Sequence, residues 1–290
     1  MQARSFGIYT LLMPRRMLSI LLLAGLPAGL LAGILLTGCR RPSKPLPAEP
    51  MSGEPRLMLW AWEIPEDFTT LDPSKAGVAF LARELFLADT VQVRPRRQPL
   101  RVTPNTWLMA DVRIETHPGF APTPELRAQA VEQILAVLSE PNIRGLQIDF
   151  DATASERDFY AALLRDLRRQ LPSGYPLSIT ALVSWCNSGS WLRSLPSGHV
   201  PVDEAVPMFF RMGGPVTTRA TRPRSFDVVH EPLCLSSAGI STDEIWPEIS
   251  REQRVYLFRP GSWTKDDLAL VNALGYQGLR HIATSPTPTP

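Results

Sequence analysis

The chain has 290 residues, of which 44% are hydrophobic, and it carries 30 basic and 28 acidic side chains. This hydrophobic content and the near balance of charge exclude a disordered chain and a strongly basic or acidic tail protein. The sequence shows no Gly-X-Y period, heptad run or solenoid-length repeat, which argues against fibrous and repeat architectures.

The first forty residues indicate a targeting segment. An almost unbroken apolar run, Met17–Gly38, follows Pro14, Arg15 and Arg16. A basic start, an apolar core and small residues before a cleavage point are typical of a secretory signal. An uncleaved transmembrane helix is the alternative, because the run is long enough to span a bilayer. In both cases we expect the rest of the chain to lie outside the cytoplasm.

The apolar run ends in Leu36-Thr37-Gly38-Cys39, which resembles the bacterial lipobox. The resemblance implies that residues 1–38 are a lipoprotein signal peptide and that Cys39 becomes a lipidated N-terminus held in a lipid bilayer. By resemblance to lipoprotein sorting rules, Arg40 implies the outer membrane, with the protein facing the periplasm. The Pro-rich stretch 39–56 is predicted to be a tether between lipid and domain.

The charge balance changes when the leader is removed. Residues 1–38 contain three arginines and no acidic residue, so 27 basic and 28 acidic residues remain. The composition therefore gives no support for a nucleic-acid partner. Residues 57–282 have a length typical of one α/β barrel domain, and the Pro- and Thr-rich residues 283–290 are predicted to be a disordered tail.

Strands and helices alternate along residues 57–282. Eight short apolar or alternating runs bounded by turn residues predict strands at Leu57–Trp62, Thr90–Arg94, Leu108–Ile114, Gly145–Phe150, Leu177–Ser184, Ala205–Phe210, Leu235–Ser241 and Arg254–Arg259. Helical periodicity predicts helices at Gly77–Ala88, Pro124–Ser139, Glu156–Leu171 and Lys265–Leu274. The order predicts an α/β fold, an irregular (β/α)8 TIM-like barrel with some helices short or missing. An open doubly wound sheet is the alternative.

Two cysteines remain after the leader, Cys186 and Cys234. In an oxidising compartment they are expected to form a disulfide, and two separate buried thiols are the alternative. No Cys/His cluster has metal-ligand spacing, so the sequence predicts neither a metal site nor a cofactor.

One predicted strand carries polar side chains on a single face. In Gly145–Asp151, the residues Gln147, Asp149 and Asp151 alternate with Leu146, Ile148 and Phe150. A barrel strand covered by helices should direct its apolar face outward, so the polar trio is expected to point into the barrel, with Asp151 nearest the carboxyl-end mouth. The alternative is a structural role, in which Asp151 caps a loop and Asp149 forms a salt bridge.

The same stretch resembles the fourth-strand signature of the chitinase-like glycoside hydrolases, Gly-x-Asp-x-Asp-x-Glu. The match implies that Asp151 is the proton donor, that Asp149 assists by orienting the substrate, and that Gln147 replaces an outer aspartate. On the sixth strand, Phe210 and Arg211 replace the Tyr and Asp that support an acetamido group in that family. Substrate-assisted hydrolysis of an N-acetyl sugar is therefore not expected.

A wider resemblance covers nearly all of the chain after the leader. The phrases at 60–63, 145–151, 177–186 and 202–208 resemble an uncharacterised bacterial family of exported, barrel-like proteins, often lipoproteins. The resemblance implies fold and location and carries no established activity.

Other strand ends add polar and aromatic groups to the predicted mouth. Glu63 is a candidate second catalytic carboxylate, serving as base or nucleophile. The candidate substrate-binding residues, with Gln147, are Trp62, Arg113, Glu115, Trp185 and Arg211. Charged and aromatic groups of this kind suit a polyhydroxylated or anionic ligand, although the charges can also satisfy each other.

The sequence leaves three functions open. The first is an envelope-anchored glycoside hydrolase-like protein that acts on a glycan, with Asp151 as general acid and Asp149 tuning it. The second is a non-catalytic glycan-binding lipoprotein that keeps the barrel without turnover. The third is a structural envelope lipoprotein of unknown function. No Gly-x-Ser-x-Gly turn supports serine-hydrolase chemistry.

Overall fold

The computed structural model describes residues 51–187, 191–194, 201–210 and 226–282. The predicted signal peptide, most of the tether, Cys39, Arg211 and the tail 283–290 lie outside the described residues. The strands are β1 Leu57–Ala61, β2 Glu66–Phe68, β3 Gly77–Leu87, β4 Val91–Pro95, β5 Leu100–Val102, β6 Leu108–Thr116, β7 Ile143–Asp149, β8 Leu177–Leu182, β9 Glu204–Met208, β10 Ser237–Ser241 and β11 Arg254–Phe258. The α-helices are α1 Pro124–Leu135, α2 Arg157–Gln170 and α3 Lys265–Ile282.

Eight parallel strands close into a ring. They follow the order β1, β3, β6, β7, β8, β9, β10, β11, and β11 pairs with β1 again. We refer to these eight strands as the ring. Because the ring is closed, the open doubly wound sheet is excluded and the predicted irregular TIM-like barrel is confirmed. Among the described residues, only β6, β7 and β11 are followed by an α-helix.

Two layers of apolar packing hold the ring. The larger one joins the outward faces of the strands to the helices, for example Ile148 to Leu163 and Val131. The smaller one fills the inside of the ring with Met58, Trp60, Met109, Val206 and Tyr256. Alternate residues of each strand therefore enter different cores, as expected for a barrel covered on its outside.

The second strand of the ring was wrongly predicted. The segment predicted as the helix Gly77–Ala88 is the ring strand β3, Gly77–Leu87. The predicted strand at 90–94 is β4, an antiparallel hairpin partner outside the ring. β3 is buried on both faces in its first half, and a bulge between Leu81 and Arg83 breaks its two-residue alternation. Gly77 fits this strand because a Cβ there would lie 2.9 Å from the carbonyl oxygen of Trp107.

The other three helix predictions are confirmed with small changes. Thr123 caps α1, because its Oγ accepts from the Leu126 amide at 3.1 Å. Thr264 and Asp267 form a capping box at the start of α3, which continues to Ile282 across a kink at Gly275. α2 begins after Glu156, whose carboxylate accepts from the Thr153 hydroxyl. No helix in the described ranges combines the length and apolarity needed to span a bilayer.

Candidate active site at the carboxyl end of the ring

The alternation predicted for β7 is confirmed. Leu146, Ile148 and Phe150 enter the outer core, while Gln147 and Asp149 lie inside the ring and are also buried. Trp60 Nε1 donates to Gln147 Oε1 at 3.0 Å, and Gln147 Nε2 donates to Ser178 Oγ at 3.0 Å. These bonds cross the inside of the ring and satisfy both ends of the buried amide.

Asp149 is held by its two neighbouring strands. Thr180 Oγ1 donates to Asp149 Oδ1 at 2.7 Å, and an Arg113 guanidinium nitrogen donates to Asp149 Oδ2 at 3.1 Å. Arg113 also binds Glu115 through Nε at 2.8 Å and lies over the Trp62 ring at 5.6 Å from its centre. Both carboxylate oxygens of Asp149 are thus engaged and its orientation is fixed.

Asp151 stands above this pair, two residues beyond the end of β7 and exposed to solvent. The pKa of Asp151 is raised because nearby protein removes part of its hydration and because Asp149 adds a negative charge, whereas Arg113 opposes the shift. A carboxyl group that keeps its proton closer to neutral pH is suited to act as a general acid.

A third carboxyl group, Asp111, lies inside the ring and was not among the predicted site residues. It pairs in register with Gln147, is 2% exposed, and its Oδ1 has no hydrogen-bond partner. Burial and the charge of Asp149 raise the pKa of Asp111 well above its usual value, while Arg113 acts in the opposite direction. The signal available in the sequence was the two-residue period of Asp111, Arg113 and Glu115 on one strand.

Glu63 is anchored to the chain at residues 96–98. Its Oε1 accepts from the amides of Arg97 at 2.9 Å and Gln98 at 3.3 Å, and its Oε2 lies 3.9 Å from Arg96. This arrangement gives Glu63 a loop-holding role. The carboxylate that Arg113 links directly to Asp149 is Glu115. The predicted catalytic role of Glu63 stays a prediction.

Trp185 was predicted to face the mouth, and this is wrong. It is 3% exposed and packs in the outer core against Tyr160 and Trp191. The strand ends at Leu182, and the following 3₁₀ turn, Val183–Cys186, breaks the alternation on which the prediction rested. The same turn brings Cys186 to Cys234, and the predicted disulfide is confirmed.

The aromatic residues nearest the mouth are Trp62, Phe210 and Phe258. Phe210 stacks on Phe258 with ring centres 5.2 Å apart, and Trp62 meets Phe258 edge to face at 6.4 Å. Phe210 is 5% exposed and carries no hydroxyl group. This part of the mouth therefore offers apolar packing and no hydrogen bond from that side chain.

The other end of the ring is closed by a buried ionic network. Arg254 binds Glu204 at 2.9 Å and Glu54 at 3.3 Å, and Tyr256 donates to Glu54 at 2.6 Å and also contacts Glu204. Ser178 Oγ donates to Glu204 Oε1 at 3.0 Å, which joins the network to Gln147. A cavity of about 430 Å³ opens below it, lined by Met51, Ser52, Glu54, Arg56, Asp203, Ser236, Glu252 and Arg254. Active sites of barrels lie at the carboxyl end, and this cavity lies at the opposite end of the ring from Asp151.

No group of three or more His, Cys, Asp or Glu side chains in the described ranges is arranged to hold a metal ion.

A family model described as a domain of unknown function, DUF3142, matches residues 108–210. The matched segment contains the strands that carry Arg113, Asp149 and Thr180. The sequence has no match among curated proteins.

Several solved structures are similar to this chain. The Bacillus cereus spore cortex-lytic enzyme SleL has 16% identity over 66% of this chain, with a TM-score of 0.44. A family GH18 chitinase from Chromobacterium violaceum has 9% identity over 78% of this chain and 82% of its own, with a TM-score of 0.45. The chain spans about half the length of the SleL structure, 52%.

Proposed function

We propose that the protein is a glycoside hydrolase-like enzyme that acts on a glycan, with Asp151 as general acid. The observation that carries the proposal is the contrast between two neighbouring carboxyl groups. Asp149 is buried and held by Thr180 and Arg113, whereas Asp151 is exposed, has a raised pKa, and makes no hydrogen bond or ion pair with another described residue. Two acids whose environments differ in this way are suited to different roles in one reaction.

In this mechanism Asp151 donates a proton to the oxygen of the leaving sugar. Asp149 pairs with Arg113 and so keeps this guanidinium beside the proton donor Asp151. The two groups together set the charge around Asp151. Glu115, which shares Arg113, and Glu63 are the candidate carboxylates for the opposite face of the sugar, as base or nucleophile. The resemblance of residues 145–151 to the chitinase-like signature supports the same assignment of roles.

The experiment compares wild type, Asp151→Asn and Asp158→Asn on β-1,4-glucan, chitin and the glycan strands of peptidoglycan. Asp158 is an exposed carboxylate on α2, outside the ring, and is the matched control. Asp151→Asn should lose about 10²–10⁴-fold of the cleavage rate, because proton donation contributes roughly that factor. Asp158→Asn should retain the wild-type rate. Cleavage that is equal in wild type and Asp151→Asn would remove Asp151 from the mechanism.

A binding protein without turnover is the second candidate, and two observations favour it. Arg113 binds Asp149 directly, and Phe210 offers no hydroxyl group to a substrate. In that case wild type and Asp151→Asn bind a glycan with similar affinity and neither cleaves it. The same panel therefore separates the two functions.

We also propose that the protein is exported and anchored in the outer membrane through lipidated Cys39. The disulfide Cys186–Cys234 supports export, because such bonds persist in oxidising compartments. Wild-type protein should incorporate a radiolabelled fatty acid and sediment with membranes, and Cys39→Ala should do neither. Equal labelling of the two proteins would contradict the anchor.

A further inference from the structure

β3 and β6 extend well past the rim of the ring. They have 11 and 9 residues, whereas the other ring strands have five to seven. Pairing of β1 with β3 stops at Ala61 and Phe80, and pairing of β6 with β7 stops at Arg113 and Asp149. Beyond these points β3 pairs only with β6 and with the hairpin strand β4. We call this three-stranded extension, residues 83–87, 91–95 and 113–116, the wall.

The two faces of the wall differ in character. Leu85, Leu87 and Ile114 lie on its back and are 0%, 0% and 3% exposed in the outer core. The register pairs Glu84 with Arg94 and Arg113, and Phe86 with Gln92 and Glu115. Paired residues on adjacent strands project from the same face, so these six side chains form the front.

The front of the wall continues the candidate active site without a break. Arg113 is at once the lowest residue of the front and the partner of Asp149. Since Arg113 points into the ring to reach Asp149, the whole front faces the mouth. It rises from Arg113 by about 10 Å, taking roughly 3.3 Å for each strand residue.

The side chains on the front are fixed and carry both donors and acceptors. Arg94 binds Glu84 through Nε at 2.8 Å and lies over Phe86 at 4.8 Å from the ring centre. His117 meets the edge of Phe86 at 5.2 Å. Held on two sides, the Arg94 side chain is still 52% exposed, so its terminal nitrogens face solvent as donors. Arg113, Glu115 and Trp62 repeat the same combination of arginine, carboxylate and aromatic ring one step lower.

Resting on the proposed function, we propose that the wall binds the flanking sugar units of a polymeric glycan whose scissile bond lies at Asp151. Guanidinium donors and carboxylate acceptors in one row match the hydroxyl groups of consecutive sugar rings, which both donate and accept. The oppositely charged partners leave the row with little excess of either charge, which favours a neutral polyhydroxylated chain. The substrate class is therefore a polymer, and short oligosaccharides reach only the mouth.

The experiment measures binding of soluble oligosaccharides, from two to six units, prepared from each of the three glycans named above. Arg94→Ala and Phe86→Ala are compared with wild type and with Arg169→Ala. Arg169 is an equally paired arginine, 71% exposed on α2, and serves as the control. Arg94 is half exposed and lies at the solvent side of the pair, so Arg94→Ala should fold, and its thermal unfolding verifies this.

We expect wild type to bind longer chains progressively more tightly. Arg94→Ala and Phe86→Ala should lose about tenfold in affinity for the longest chain, which is ~1.4 kcal/mol, and should match wild type for the shortest. If wild type binds and neither variant loses affinity, the proposal that the wall binds sugar units is overturned and the proposed function stands. An equal loss for short and long chains also overturns it, because Arg94 would then act in the mouth. Failure of wild type to bind any chain overturns both proposals.

Discussion

Replacing Arg254 by Met should destabilise the protein by about 3–5 kcal/mol at neutral pH, the usual cost of breaking a buried ion pair on one side. Arg254 is the cation between Glu204 and Glu54, which are 1% and 7% exposed. Its Nε and a terminal nitrogen also donate to the backbone oxygens of Pro55 and Met51 at 3.2 and 2.9 Å. Removing it leaves two carboxyl groups facing each other in the closed end of the ring.

The pH dependence of this loss follows from the same contacts. Burial and the neighbouring Glu204 raise the pKa of Glu54 well above its usual value, whereas Arg254 and the Tyr256 hydroxyl lower it. Without Arg254, a contact that lowers the pKa of Glu54 is lost, so Glu54 holds its proton more strongly in the folded state than in the unfolded state. The destabilisation should therefore be small below about pH 4, where the unfolded chain is protonated too, and should grow as pH rises.

Urea unfolding at pH 4 and pH 7 measures both effects. Arg169→Met removes an exposed arginine and should change stability by less than about 1 kcal/mol at either pH. Adding Glu204→Gln to Arg254→Met should restore part of the loss, since an amide oxygen can still accept from Ser178 and Tyr256. A loss below about 1 kcal/mol, or one that is equal at both pH values, would show that the network is not ionic in the folded protein.

The inward-facing residues of β7 could be predicted from the sequence, because a single rule determines which side chains face inward. Strand residues alternate between faces, and Leu146, Ile148 and Phe150 identify the outward face. The inward positions of Gln147 and Asp149 then follow. The same rule applied to Glu204, Val206 and Met208 would have placed Glu204 inside, but a single acidic residue at a strand start gave no reason to look there.

The second ring strand could not be predicted in the same way, because β3 is covered on both faces and its bulge shifts the alternation at Leu81. Leu81 and Leu85, four residues apart, imitate the stripe of a helix. The prediction that Trp185 faces the mouth was wrong for a related reason. A 3₁₀ turn follows Leu182 and directs the Trp185 indole into the outer core. The wall could not be predicted either, because it depends on the length of β3 and β6 and on their pairing beyond the rim. The local periodicity of a sequence gives no information on either property.

The free energy of unfolding of Asp111→Asn should exceed that of wild type by an amount that grows as pH rises above about 4. Asp111 is inside the ring with one oxygen unpaired, and burial and Asp149 raise its pKa well above the usual value. The groups around it are Asp149 on β7, Arg113 on its own strand and Tyr160 on α2. The pKa of Tyr160 is itself raised well above 10 by burial and by the neighbouring aspartates, so Tyr160 stays neutral through this range.

The sign of the effect follows from proton binding. Between the unfolded pKa of an aspartate, about 3.9, and the raised folded pKa, the folded state holds a proton that the unfolded state has lost. Wild-type stability therefore falls by up to ~1.4 kcal/mol for each pH unit in this window, relative to a chain that lacks the group. Asn has nearly the same shape and cannot ionise, so Asp111→Asn lacks this slope.

Urea unfolding of both proteins from pH 4 to pH 8 measures the difference, with Asp158→Asn as the exposed control. The gap between Asp111→Asn and wild type should widen as pH rises from about 4 toward the raised folded pKa of Asp111, and Asp158→Asn should show no comparable widening. A gap for Asp111→Asn that does not change with pH would mean that Asp111 is ionised at the usual pKa. Arg113 would then be shared among Asp111, Asp149 and Glu115, and Asp149 would lose the dedicated partner on which its fixed position beside Asp151 depends.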